Sequence, residues 1–182
     1  MSNVTPTRIN WVLDPGKFLS AEDIERLVQT AKMRAERARA HGRRVAVRDY
    51  LIIDLALSTG LRVMEIAKLN CGDVFTRDDM SSLLVRRGKG GKTRLVRFNG
   101  AFRQHISQYI RWKQEIGEPT TPHAPLLLSS TSRDHMSTRA IQKAFKRTAA
   151  RACLPPHFSI HCLRHTYACH LYKASGYNLR LV

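Results

Sequence analysis

The sequence predicts a mainly α-helical domain with a small three-stranded antiparallel β-sheet, an α+β fold. Three observations carry this. Several stretches repeat apolar residues at helical spacing, three short strand-like segments cluster between residues 73 and 98, and a glycine-rich turn joins the last two of those segments.

Residues 1–19 read as a leader passing through Pro15-Gly16. Ser20 is placed to cap a helix, and Asp23, three residues on, completes the pattern of a capping box. Ile24, Leu27, Val28 and Ala31 then share one face and carry the helix to about Ala40. A second helix runs from about Val45 to Thr59 through Tyr50, Leu51, Ile53, Leu55 and Leu57. Gly60 closes it, because glycine takes the left-handed turn that ends many helices. A short third helix is expected from Arg62 to Leu69. Strands are expected at Asp73–Thr76, Ser82–Arg87 and Thr93–Phe98. The last two flank Gly88-Lys89-Gly90-Gly91-Lys92, a hairpin turn. Further helices are expected at about 101–116, 137–153 and 160–174. Pro119, Pro122 and Pro125 mark the loop before the second of these, Pro155-Pro156 separates the second from the third, and Gly176 ends the last.

Composition narrows the function. With 182 residues, 43% of them apolar, the chain can bury one good core but not two full ones. Its formal charge is +17, from 31 Lys/Arg against 14 Asp/Glu, and no acidic residue follows Asp134. A charge that large on one domain implies a polyanionic partner. The basic run Arg34, Arg37, Arg39, Arg43 and Arg44 reads equally as a solvated helix face or as a patch facing nucleic acid. Asp14 and Pro15 stand where a signal peptide would need an apolar core, and the apolar run at Leu51–Leu57 contains Asp54. No membrane association is expected, and the expected location is the cytoplasm. There Cys71, Cys153, Cys162 and Cys169, which lack a CxxC spacing, would be free thiols. His161 and His165 could bind a metal with Cys162, Cys169 or His170, but no acidic or paired-cysteine spacing supports it. No cofactor or metal is expected.

Three separated motifs carry the chemistry. They are Ser58-Thr59-Gly60-Leu61-Arg62-Val63-Met64-Glu65, the basic hairpin Arg86 to Arg94, and His161-Cys162-Leu163-Arg164-His165 with its continuation through Leu171. Taken singly, Arg62 is a helix-start arginine, Lys89 a solvated turn lysine, and Glu65 a simple partner for Arg62. Taken in order they form a specific combination. Arginine suits a phosphate whose ester is being exchanged, since its planar fork stays protonated and hydrogen-bonds two oxygens at once. Arg62 and Arg164, from separate elements, are the candidates to clamp it. Arg86, Arg87, Lys92, Arg94 and the cluster Lys143, Lys146 and Arg147 are the expected contacts to a nucleic-acid backbone.

Over about residues 18–182 these motifs resemble the catalytic domain of the tyrosine recombinases, the phage integrases and Xer-type recombinases. The resemblance implies that fold, with the domain covering residues 20–182, and site-specific DNA recombination or integration through a phosphotyrosyl intermediate on double-stranded DNA. It makes Lys89 the acid for the leaving 5′-oxygen and His161 the general acid/base beside the nucleophile. It allows self-association on DNA. It places the nucleophilic tyrosine, and a second active-site His or Trp, beyond one further helix. Both are therefore expected after Val182, leaving the domain incomplete at its C-terminus. Inside the chain, Tyr167 shares a helical face with Ile160, Leu163 and Leu171, and Tyr172 falls roughly 16 Å along the axis from His161. The chain by itself is expected to bind duplex DNA without forming an adduct. The alternatives are a non-catalytic DNA-binding relic of a recombinase and a helix-turn-helix or RNA-binding protein. The last would need a recognition-helix pair or an aromatic surface, and aromatics are 7% of the chain.

Overall fold

The structure is a computed structural model and describes residues 18–86 and 91–177. Six α-helices and a three-stranded sheet follow the expected order. Helix α1 spans Ala21–Ala40, and the capping box is formed: the Ser20 hydroxyl accepts from the Asp23 N–H at 3.1 Å, and the Asp23 carboxylate accepts from the Ser20 N–H at 3.3 Å. Helix α2 spans Val45–Thr59 and is the centre of the molecule. Leu51, Ile52, Ile53 and Leu55 are fully buried along it, and α1, α4, α5 and α6 all pack on it. That all-round burial is why α2 carries apolar residues on every side rather than in one stripe.

Helix α3 is shorter than expected, Val63–Ala67. Arg62 stays extended at its N-cap (φ −72°, ψ 150°), since its N–H is already satisfied by the Glu65 side chain. A 3-10 turn, Cys71–Asp73, then leads into β1 (Val74–Arg77), β2 (Met80–Val85) and β3 (Arg94–Arg97). The strands form an antiparallel meander in the order β1-β2-β3, with Val74 opposite Leu83 and Val85 opposite Arg94. Strand β2 starts two residues earlier than expected, because a tight turn at Asp78-Asp79 brings Met80 straight into pairing with Arg77. Helices α4 (Gly100–Glu115), α5 (Thr138–Arg151) and α6 (Ile160–Ala174) complete the fold. In α5, Ile141, Ala144, Phe145 and Ala149 face the core, leaving Lys143 and Lys146 outside.

The two ends of this arrangement are tied together. The Leu19 N–H donates to Thr166 Oγ1 of α6 at 3.1 Å, across 147 residues, so the start of α1 lies beside the middle of α6. This contact and the α2–α6 packing bring the two distant arginine motifs into one place.

Candidate functional site

Gly60 begins the site. Its left-handed backbone (φ +60°) turns the chain at the end of α2 and leads into Arg62. Only glycine fits here for a second reason: a β-carbon would lie 2.2 Å from Cδ1 of Tyr167, whose ring rests on Gly60. Arg164, in the second turn of α6, donates from Nη1 to the Gly60 carbonyl across 104 residues. That bond sets Arg164 beside the turn that presents Arg62.

Glu65 is the hub of the cluster. It is buried, accepts the Arg62 N–H on Oε2 at 2.8 Å, and lies 3.5 Å from Arg62 Nη1 through Oε1. Arg94 of β3 grips the same carboxylate with both prongs, at 2.9 and 3.0 Å. One carboxylate therefore faces Arg62 and Arg94 directly, with Arg164 within electrostatic reach. Burial alone would raise the Glu65 pKa. The Arg94 hydrogen bonds, the Arg62 N–H and the charges of both arginines outweigh it and hold the carboxyl below its usual range. Arg164 is shifted the other way from a comfortable ion pair. Burial and the like charge of Arg62 push its pKa down, Glu65 opposes the shift, and Arg94 adds to it. Guanidinium groups remain protonated through such shifts. The site thus holds more cationic charge than Glu65 neutralises, and it offers a bound oxyanion paired donors from separate elements.

His161 lies one turn before Arg164 on α6 and is exposed. Lys89 and Arg87 lie outside the described residues. Arg86 donates from Nε to Asp73 at 2.6 Å, with most of its side chain still in solvent. Lys92 and Lys143 are exposed, and Lys146 donates to the Pro156 carbonyl at 2.5 Å. Arg147 makes a two-pronged pair with buried Asp49, at 2.9 and 2.6 Å. Three of the basic residues singled out in the sequence as backbone contacts, Arg86, Arg94 and Arg147, are therefore engaged with carboxylates of the same chain, the last two through two prongs. The central place of Arg94 was not legible: it reaches Glu65 from 29 residues away, across a helix-to-sheet contact that no local spacing reveals. Among the described residues no group of three or more His, Cys, Asp and Glu side chains is placed to hold a metal, and no helix is long and apolar enough to cross a membrane.

Residues 17–182 match the phage integrase family. The chain belongs to the phage integrase family. Among curated members, it is similar to the tyrosine recombinase XerD of Brucella suis biovar 1 (strain 1330), with 32% identity over 169 residues, covering 91% of this chain and 53% of XerD. The chain spans about half the length of the curated relatives it matches. Among solved structures, XerA recombinase superposes with a TM-score of 0.71 at 23% identity, over 90% of this chain and 53% of that one. XerH recombinase bound to palindromic difH substrate, in a post-cleavage complex, gives a TM-score of 0.69 at 21% identity, over 88% of this chain and 43% of that one. The fold is thus the tyrosine-recombinase catalytic fold, helices around a small antiparallel sheet. In this phage integrase family member, the Gly60-Leu61-Arg62 turn, strand β3 and the His161–His165 segment meet around Glu65.

Proposed function

We propose that this chain is the phosphate-clamping region of a site-specific tyrosine recombinase, which binds duplex DNA for strand cleavage and rejoining. The observation that carries this reading is the gathering of Arg62, Arg94 and Arg164 around a single buried carboxylate. Attack of a tyrosine oxygen on phosphorus forms a P–O bond and breaks the bond to the 5′-oxygen. Between the two, negative charge builds on the non-bridging oxygens. Arg62 and Arg164 stabilise that charge, and removing one such aimed donor typically costs about 10²–10³ in rate. Lys89 protonates the departing 5′-oxygen, and His161 handles the tyrosine proton. Arg86, Arg87, Lys92, Lys143 and Lys146 hold the flanking backbone. Arg94 and Arg147 serve the same surface with their forks occupied, by fixing Glu65 and Asp49.

The nucleophile is assigned to no tyrosine of the described residues. Tyr109 is fully buried, and burial pushes its phenol pKa far up. Tyr50 stacks on His105 at 4.1 Å, Tyr172 meets Tyr177 edge-on, and the Tyr167 ring is committed to Gly60. The test incubates the purified chain with a nicked suicide duplex. Non-covalent binding is expected, with log K falling against log[salt] at a slope near −4 to −5 for about five neutralised phosphates. Denaturing gels should show no protein–DNA adduct. A flat salt response would overturn the binding, and an adduct lost on Tyr177→Phe, Tyr167→Phe or Tyr172→Phe would overturn the assignment of the nucleophile.

A further inference from the structure

A groove of about 1390 Å³ lies between the end of α1, the start of α2 and the segments that follow α4. Arg34, Arg37, Arg43, Arg44, Arg133 and Arg151 line it together with buried Arg48, and Glu118 is its one carboxylate among the described residues. None of Arg62, Arg94 and Arg164 borders it. Val45 and Ala46 line the groove at one end of α2, while Gly60 follows the other end. At 1.5 Å per residue those ends are about 20 Å apart. The groove and the Glu65 cluster are therefore separate sites joined by one rigid helix.

Few of the groove's cations are neutralised within the chain. Glu118 lies 3.6 Å from Arg44 but is shared with buried Lys113 at 3.4 Å. Asp49, 3.7 Å from Arg34, is already held in two prongs by Arg147. Arg48 is spent on the Leu128 carbonyl and on Ser130. The side chains of Arg37, Arg43 and Arg133 are exposed and make no hydrogen bond or ion pair among the described residues. Arg133 also holds a left-handed backbone (φ 54°), a conformation that non-glycine residues seldom keep without a reason. Crowding is felt at Arg34, whose pKa is lowered by burial and by the charges of Arg151 and Arg147, against the opposing pull of Asp49.

The lining indicates what fits. Its Lys/Arg cations are all arginine, the side chain whose planar fork matches phosphate oxygens. The space exceeds the roughly 300–1000 Å³ of small-molecule pockets, so a single free phosphate would leave most of it empty. Among the described residues no Phe, Tyr or Trp borders it and His41 is its one aromatic ring, so it lacks the row of large aromatic platforms on which successive unpaired bases stack. We propose that this groove is a second nucleic-acid site, which takes the phosphate backbone of a duplex segment other than the one held at Arg62 and Arg164. The choice of a nucleic acid rests on the reading of the chain as a DNA-binding protein; the existence of an anion site does not.

Arginine-selective modification with phenylglyoxal, read by mass spectrometry, tests this on the whole chain with short duplex DNA in excess. Duplex should protect Arg37, Arg43 and Arg133, and should still do so in the R62Q/R164Q variant. The R37Q/R43Q/R133G variant, in which glycine suits the left-handed position, should bind with a salt slope shallower by roughly 0.9 for each arginine removed. Protection of Arg62 and Arg164 while the groove arginines stay reactive would overturn the inference and leave the proposed function standing. Protection of the groove alone would support the inference and sink the proposed function. Poly-glutamate of matched charge protecting the groove better than duplex would overturn the choice of a nucleic acid. The protection readout uses the unmodified sequence, so it stands even if the triple variant fails to fold.

Discussion

Glu65 carries the single negative charge on which the arginine cluster is organised. Its folded pKa lies below the ordinary glutamate value. Between the two values the unfolded chain binds more protons than the folded one, so stability rises with pH across that window. The contribution is complete above the unfolded pKa of about 4.3 and is lost as pH falls through the folded value. In urea titrations the wild type should therefore lose stability on acidification more steeply than Glu65→Gln, with the gap between them widest at neutral pH. Parallel curves for the two chains would remove Glu65 from this role. Gly60 makes a steric case of the same kind. Gly60→Ala forces a side chain into a left-handed turn and drives its β-carbon into the Tyr167 ring. A loss of about 2–3 kcal/mol in denaturant unfolding is expected. Tyr167→Ala in the same chain should recover the steric part. A Gly60→Ala variant within a few tenths of a kcal/mol of wild type would contradict the close contact.

At the scale of elements, α1, α2 and α5 are fastened by Asp49. This residue is 2% exposed, pairs in two prongs with Arg147 of α5, and lies 3.7 Å from Arg34 of α1. Asp49→Asn leaves both cations facing a neutral group. Arg147 is 34% exposed, so the loss should sit near the low end for a buried pair, about 3 kcal/mol. Urea midpoints compared with an Arg147→Met, Asp49→Leu double variant would check it, because replacing the whole pair by apolar groups should cost less than breaking it. The same residue illustrates what a sequence conceals. The helices were legible because each repeats apolar residues where a core must touch, and Ser20 with Asp23 marks a helix start by itself. The strands were legible to within two residues, since the exact tight turn at Asp78-Asp79 has no strong signature. Arg62, His161 and Arg164 could be picked out because their motifs are local. The pairs Asp49–Arg147, Asp73–Arg86 and Glu65–Arg94 join residues 98, 13 and 29 positions apart through tertiary packing, and no periodicity encodes them.

Over the whole molecule, the charge of +17 is unevenly answered by carboxylates. Buried Asp49, Glu65, Asp73 and Glu118 each hold specific arginines or lysines in place. Arg26 and Arg103 are answered at the surface by Asp23 and Asp78, and cations in excess of carboxylates remain at the Glu65 cluster and in the groove at the far end of α2. Such a surface draws polyanions from a distance and releases counterions when they arrive, so salt sensitivity is a property of the fold as a whole.

The bond from Arg164 to the Gly60 carbonyl also governs the order in which the molecule comes together. It closes a ring of chain 104 residues around. By the loop-closure relation, joining ends so far apart costs about 4 kcal/mol of entropy beyond a constant term, which local helix formation does nothing to offset. Helices α1 and α2 can form on a ribosome long before α6 has been made, but Arg164 cannot join Arg62, Glu65 and Arg94 until α6 docks. Opening of α6 away from α2 would expose Ile160, Leu163 and Thr166 and take Arg164 out of the cluster without requiring α2 to unfold. Inorganic phosphate that binds only the docked form should oppose this opening, by about 2.7 kcal/mol at a hundred times its dissociation constant. Hydrogen exchange reads this directly: phosphate should slow the amides of α6 and spare those in the middle of α2. Equal slowing in both helices would mean that α6 leaves only when everything else does.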